Sequence, residues 1–357
     1  MSADAMPLVS VMMPVRNEAR FIRRSLGAVL AQDYPHLEIW VTDGASDDGT
    51  REYLEEVAAR DSRLHILDNP RRIVPTGLNR AIARARGEII VRVDGHTVIA
   101  RDYVRTCVEA LDRTGADNVG GRMDAMGFTV TARAVARATS SRFGVGGAAF
   151  HYLDRETEVD TVYLGAWRRE VFDRIGGFDE ELVRDQDDEL NYRLRAHGGR
   201  ILLVPTIRSR YVNRASLAKL WRQYRQYGLW KVRVLQKHPR QMRPRQFVPA
   251  LFVAALAGTT IAGRWSPTMR RLSQLTIGSY VMANGAATVL AGREAPINEK
   301  ARLPAAFAAM HLGYGVGFLQ GLLRFVGRWK DRQGRVPRFD VSNSNKLTSS
   351  SKPTSNR

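Results

Sequence analysis

Short apolar runs alternate with amphipathic stretches along the first half of the chain. Runs at 9–15, 37–42, 64–67 and 88–93 read as strands, and a later pair is expected near 117–121 and 159–165. Between them, apolar residues recur at helical spacing over 18–30, 48–59, 75–86 and 101–113. Strand–helix alternation of this kind predicts parallel βαβ units, hence an α/β fold with a mixed, mainly parallel sheet flanked by helices. Ser46 is placed to cap the helix that contains Glu52, and Gly87 follows the arginines at the end of another as a stop. An open α/β sheet binds ligands at the carboxyl ends of its strands, so the residues just after each run are the candidates for chemistry.

Beyond Asn213 the pattern changes. Residues 216–237 read as one helix, with Leu217, Leu220, Trp221, Tyr224 and Tyr227 mainly on one face and Lys219, Arg222, Arg225 and Lys231 among its charges. Three apolar stretches follow, at 247–263, 272–292 and 303–323, each flanked by Arg or Lys. A bilayer crossing takes about 20 apolar residues, so the second and third qualify by length and the first is borderline. Helices buried in a soluble domain are the plainer alternative. Two spans and one interfacial helix would keep the basic segment 324–338 on the side of the N-terminal region, as positive charge prefers. The predicted organisation is a catalytic domain over 1–213, a basic amphipathic connector over 214–246, membrane-associated apolar helices over 247–330, and a basic disordered tail over 331–357.

Charge sharpens this division. The 357 residues carry 55 Lys and Arg against 36 Asp and Glu, a formal net charge of +19. Residues 1–210 hold 30 basic and 32 acidic side chains, whereas residues 211–357 hold 25 and 4. A balanced region is joined to a strongly basic one, which points to a polyanion: nucleic acid or an anionic membrane surface. The aromatic and basic helix 216–237 suits base stacking. Long apolar stretches in the same region, and no recognised nucleic-acid module, favour the membrane and no nucleic acid. With 44% hydrophobic residues the chain is not disordered, and with one cysteine it is not a disulfide scaffold. Cys107 falls in a helical pattern and reads as a core residue. No Lys or Arg precedes the first apolar run, which Pro14 interrupts, so no secretory signal is expected and the N-terminal region is placed in the cytoplasm.

Four places carry candidate chemistry. Asp94 ends the fourth run, and His96 two residues on can face the same way; such a pair can hold a cation that bridges phosphates, although an aspartate there also suits a turn. Asp43 ends the second run ahead of Gly, Ser and Asp residues, and is either a turn residue or an acceptor for a nucleobase or ribose. After Met13, Arg16 can meet a phosphate and Glu18 can cap a helix. The acidic cluster at 179–189 is explained equally by a solvated helix start.

Taken in order, Val9-Ser-Val-Met-Met-Pro-Val-Arg-Asn-Glu18, the segment 43–50, Gly77-Leu-Asn79, Gly87-Glu-Ile-Ile90, Asp94-Gly-His96, Gly176-Gly-Phe-Asp179 and Asp187-Asp-Glu-Leu190 resemble the family 2 inverting glycosyltransferases of GT-A fold. The resemblance covers about residues 8–235, and within the family it is strongest to the succinoglycan biosynthesis (ExoA) group, which has Asp-X-His where most relatives have Asp-X-Asp. It implies that Pro14, Val15, Arg16 and Glu18 line a nucleotide-sugar pocket, with Asp43 on the uracil or ribose, Asn79 close by, and Asp94 against the donor. Asp94 and His96 would hold Mg²⁺ or Mn²⁺, Asp187 would be the catalytic base with Asp188 as the alternative, and Gly165, Ala166 and Trp167 would border the acceptor. The implied reaction moves one hexose, glucose favoured, from a UDP-sugar donor to a polyprenyl-diphosphate-linked saccharide acceptor at an anionic inner-membrane surface. Three departures stand out. Gln186 replaces the Glu usual before the base, His96 replaces a second carboxylate, and Gln223-Tyr-Arg-Gln-Tyr-Gly228 stands near where processive synthases carry Gln-X-X-Arg-Trp, which favours single addition. A nucleic-acid-binding protein and a non-catalytic relative that scaffolds glycan assembly are the competing readings.

Overall fold

The four leading apolar runs form one parallel half-sheet in the computed structural model, which describes residues 6–213 and 216–339. Strands β1 (Val9–Val15), β2 (Leu37–Asp43), β3 (Leu64–Asp68) and β4 (Ile89–Arg92) are followed by β5 (Thr97–Ile99), β6 (Asn118–Met126), β7 (Thr157–Glu158), β8 (Tyr163–Arg168) and β9 (Ile201–Val212). Their spatial order is β3-β2-β1-β4-β8-β6-β9-β5, with β7 on β9. The first four strands run parallel, as do β6 and β9, while β8 lies antiparallel between β4 and β6. The sheet is thus mixed and mostly parallel.

Helices α1 (Ile22–Leu30), α2 (Thr50–Ala58), α3 (Val74–Ile82), α4 (Tyr103–Thr114), α5 (Val130–Thr139), α6 (Arg142–Val145), α7 (Arg169–Ile175) and α8 (Gln186–Ala196) connect these strands. Successive strand residues feed different cores: Val11, Val41 and Val91 pack with Leu26, Leu54 and Val104, whereas Met12 and Ile90 pack with Leu78, Phe172 and Leu190. Both faces are covered, which is why the strands read as continuous apolar runs and not as alternation. Cys107 is fully buried in the first of these cores.

Several local expectations shift. Gly49, at φ 91°, precedes α2, and Ser46 instead donates its hydroxyl to Asp43 at 2.6 Å. Helix α3 ends at Ile82, so Gly87 is no stop; it is needed because a Cβ there would lie 2.5 Å from the Ser10 hydroxyl. The last central strand begins at Tyr163 and not at 159, since Asp160 is drawn out to Arg195, Arg243 and Arg245.

The C-terminal helices are α9 (Leu217–Lys237), α10 (Val248–Ala262), α11 (Pro267–Ala291), α12 (Ile297–Lys300) and α13 (Leu303–Arg324). Ser216 caps α9 by accepting from the Lys219 amide. Helices α9 and α13 pack backbone to backbone: a Cβ on Gly317 would lie 1.9 Å from the Arg225 carbonyl oxygen, and one on Gly228 would lie 2.0 Å from that of Tyr314. Only 297–324 is long and apolar enough to cross a membrane among the described residues, with a mean hydropathy of 1.3 over a window that is 44% buried in the protein. The expectation of two spans is corrected accordingly. Helix α11 opens on Arg270 and Arg271 and carries Ser, Thr, Gln and Asn along its length, and α10 has only 15 residues. Most large apolar side chains left in solvent stand on α10 and α11, including Leu251, Leu275 and Met282.

Beyond α13 the chain returns to the sheet domain. The Gly177 amide donates to Pro337 and the Glu180 amide to Arg335, at 2.9 and 3.1 Å. Residues 331–339 are therefore packed in place, unlike the disordered tail expected from 331; positions 340–357 lie outside the described residues.

Candidate active site

Strand order reverses between β1 and β4, and that is where the carboxyl ends of neighbouring strands part. The pairing of β1 with β4 stops at Met12 and Arg92, so Pro14 falls where one neighbour has left and its missing amide costs no ladder bond. A cavity of about 1170 Å³ opens from this crevice and is lined by residues of segment 142–151 and of helices α9, α10, α11 and α13. Pro14, Val15, Arg16, Glu18, Arg92, Asp94, His96, Asp187 and Asp188 all line it. Residues far apart in sequence are thus brought together.

Arg92 lies at the centre. Its side chain, 5% exposed, donates from Nε to Asp94 Oδ1 at 2.8 Å and pairs through Nη1 with Asp187. Burial opposes charge on Asp94, but the Arg92 guanidinium overrides it and holds this carboxyl below the usual range. Asp187, at the start of α8, is different: burial raises it to about 6, with Asp94 and Asp188 adding to the rise and Arg92 opposing it. Gln186 therefore removes one acidic neighbour without leaving Asp187 at its ordinary value. Asp185, in the left-handed region at φ 59°, is raised by burial to about 7 against the pull of Lys231, whose ammonium lies 3.8 Å away and also pairs with Asp188. Two carboxyls beside one cavity that sit near neutrality are what proton transfer requires.

His96 Nδ1 lies 3.0 Å from Glu18 Oε1, and its ring meets the edge of Tyr211 at 5.2 Å. Gly95, between the two candidate ligands, has no room for a side chain: a Cβ would stand 2.9 Å from Val15 Cγ1 and 3.1 Å from Glu18 Cγ. One carboxylate and one imidazole at the mouth of a cavity fit a divalent cation that takes its other ligands from phosphate and water. No third protein ligand joins them, for among the described residues no cluster of three His, Cys, Asp or Glu is present.

Other predicted residues lie elsewhere. Asp43 is 4% exposed and accepts from the Ser46 amide and hydroxyl; only its neighbour Gly44 borders the cavity, packed on the Arg16 stem. Asn79 is a structural bridge: its amide donates to the Phe178 carbonyl at 2.8 Å and accepts from the Phe178 amide, tying α3 to the loop before α8. Gly165, Ala166 and Trp167 sit within β8, where Ala166 and Trp167 pair with β4, and the cavity is bordered instead by Val162 and Tyr163 at its start. Sequence reasoning missed Arg92, Asp185 and Lys231. Arg92 did leave a signal, because an arginine inside a buried run must have a partner and the period of two places it on the same face as Asp94.

The family model for glycosyl transferase family 2 matches residues 10–176. Succinoglycan biosynthesis protein ExoA of Rhizobium meliloti (strain 1021) is 31% identical over 335 residues, covering 92% of this chain and 99% of its own. A dolichyl N-acetyl-alpha-D-glucosaminyl phosphate 3-beta-D-2,3-diacetamido-2,3-dideoxy-beta-D-glucuronosyltransferase of Methanococcus voltae is 26% identical over 242 residues, 65% of this chain and 75% of its own. Among solved structures, mannosyltransferase PcManGT from Pyrobaculum calidifontis, in complex with GDP-Man and Mn²⁺, superposes with a TM-score of 0.59 at 21% identity, over 90% of this chain and 89% of that one. This last likeness speaks to the fold, a GT-A arrangement.

Proposed function

The chain belongs to the family 2 glycosyltransferases, and from that premise we propose that it transfers a single hexose from a UDP-sugar, UDP-glucose foremost, to a polyprenyl-diphosphate-linked saccharide during exopolysaccharide assembly. The observation that carries this reading is the convergence of Asp94 and Asp187 on Arg92 inside one cavity, with Asp187 raised to about 6. Arg16, on the same wall, is available to the donor diphosphate. Asp187 accepts the proton of the acceptor hydroxyl as that oxygen attacks the anomeric carbon. The bond to the diphosphate breaks on the opposite face, its electron pair leaves with UDP, and the configuration inverts. Asp94 and His96 would hold Mg²⁺ or Mn²⁺, which when bound neutralises charge on the departing diphosphate. Asp188, held by the Lys231 ammonium as Asp187 is by Arg92, is the alternative base.

A lipid-linked acceptor is supported by the far end of the cavity, where Val248, Pro249 and Phe252 of α10 and Tyr280 and Ala283 of α11 form the wall. The same two helices turn Leu251, Leu275, Val281 and Met282 outward, and Arg264, Arg270 and Arg271 gather at their connection. An apolar face with basic ends suits one leaflet of an anionic membrane, here the cytoplasmic face of the inner membrane. The test is a donor screen on purified full-length protein with a polyprenyl-diphosphate saccharide, reading nucleotide release with and without Mn²⁺ and the anomeric configuration of the product. Release from UDP-glucose, with inversion, is expected; release from GDP-mannose alone would overturn the donor assignment.

A further inference from the structure

We propose that Glu18 is a positioning residue for the cation site, fixing the tautomer and orientation of His96 so that Nε2 faces the metal. This rests on the reading that Asp94 and His96 hold the cation. A carboxylate oxygen accepts from a ring N–H, so the 3.0 Å contact between Glu18 Oε1 and His96 Nδ1 selects the tautomer with the proton on Nδ1. Nε2, with its lone pair, is then the ring nitrogen turned away from Glu18. Local packing fixes the arrangement. The Glu18 stem lies against Gly95, where a Cβ would come within 3.1 Å of it, and the Gly95 carbonyl is tied by the Ser25 hydroxyl at 2.6 Å. The Glu18 amide donates to the Thr50 hydroxyl at 2.9 Å, so the backbone that carries the carboxylate is itself held. Glu18 therefore serves the imidazole and is not a third ligand. Exchanging a metal-binding carboxylate for histidine gives up negative charge, and a carboxylate behind the ring returns part of it through the imidazole.

Mn²⁺ binding to the full chain with UDP present, followed by electron paramagnetic resonance of free and bound ion, tests this without activity. Glu18→Gln is expected to weaken Mn²⁺ about ten- to hundredfold. In a His96→Asp background, where no ring needs orienting, the same substitution is expected to change affinity less than twofold. A ¹⁴N coupling to bound Mn²⁺ should be present in the native chain and absent from His96→Asp. Equal losses from Glu18→Gln in both backgrounds, or no loss in the native one, overturn the positioning role. Asp94→Asn separates the premise from the inference. If it leaves Mn²⁺ affinity intact, the cation site itself is misplaced; if it abolishes binding while Glu18→Gln does nothing, only the role of Glu18 fails. The thermal melting midpoint serves as the folding control for each variant, and a Glu18→Gln chain that fails it is replaced by Glu18→Ala.

Discussion

Four carboxylates of the sheet domain, Glu18, Asp94, Asp187 and Asp188, gather at strand and helix ends around the cavity, whereas the C-terminal helices carry few and use Glu299 and Asp331 as clips. Glu299, 2% exposed, accepts from Arg133 and Arg137 and fastens α12 to α5. Asp331 joins Arg233 and Arg328. Apolar surface is divided the other way: among the described residues, Phe128 and Val183 are the exposed large apolar residues before α10, and all the others lie on it or after it. One region thus brings a group of carboxylates to a cavity, and the other exports its apolar side chains. Seams of ion pairs join them, above all Lys237 with Asp179 and Glu181, so the loop leading into Asp187 is braced by the C-terminal helices. The helical region is part of the scaffold of the active site as well as its support.

The comparison is tested hardest at the base. Asp187→Asn should lower the transfer rate about 10²–10⁴-fold while leaving UDP binding within twofold, measured by nucleotide release and calorimetry. At the seam, Lys237→Met strands the fully buried Asp179 carboxylate, and denaturant melts should show a loss of about 3–5 kcal/mol. If the two regions were independent, the loss would be far smaller.

The outer face of the helices gives the next effect. Burying each large apolar side chain contributes about 1.5–3 kcal/mol, so Leu275→Asp with Met282→Asp should reduce flotation with anionic vesicles more than tenfold without changing UDP affinity. Unchanged flotation would return those helices to the soluble alternative. The smallest effect belongs to the Glu299 clip, where Glu299→Gln should cost about 1–2 kcal/mol and lower the melting midpoint by a few degrees.

Much of the sheet was legible because parallel strands buried on both faces leave unbroken apolar runs. The strands at 9–15, 37–42 and 64–67 end within a residue of where they were expected. The limits of β8 were not legible, because they depend on Asp160 finding Arg195, Arg243 and Arg245, partners that no local pattern reveals. Asn79 illustrates the same limit in the site: an asparagine in a motif suits ligand binding or bridging equally, and only the neighbouring Phe178 backbone decides. Asp94, His96 and Asp187 could be placed near one another from motif order. The arginine joining two of them, and the Glu18 carboxylate behind the third, needed coordinates. For α11, length and lack of charge suggested a span, while its Ser, Thr, Gln and Asn content lowers its hydropathy below what a crossing needs.

Asp187 is the proposed base, and its surroundings set its proton affinity. The groups around it are Arg92, Asp94 and Asp188, with Asp185 beyond the last. The pH dependence of kcat/KM for sugar transfer tests this most directly. A raised carboxyl must lose its proton to act, so the rate should fall about tenfold per pH unit below about 6, and Asp188→Asn should move that limb to lower pH by removing a charge that raises Asp187. A profile flat down to pH 5, or a limb that Asp188→Asn leaves in place, would contradict the account.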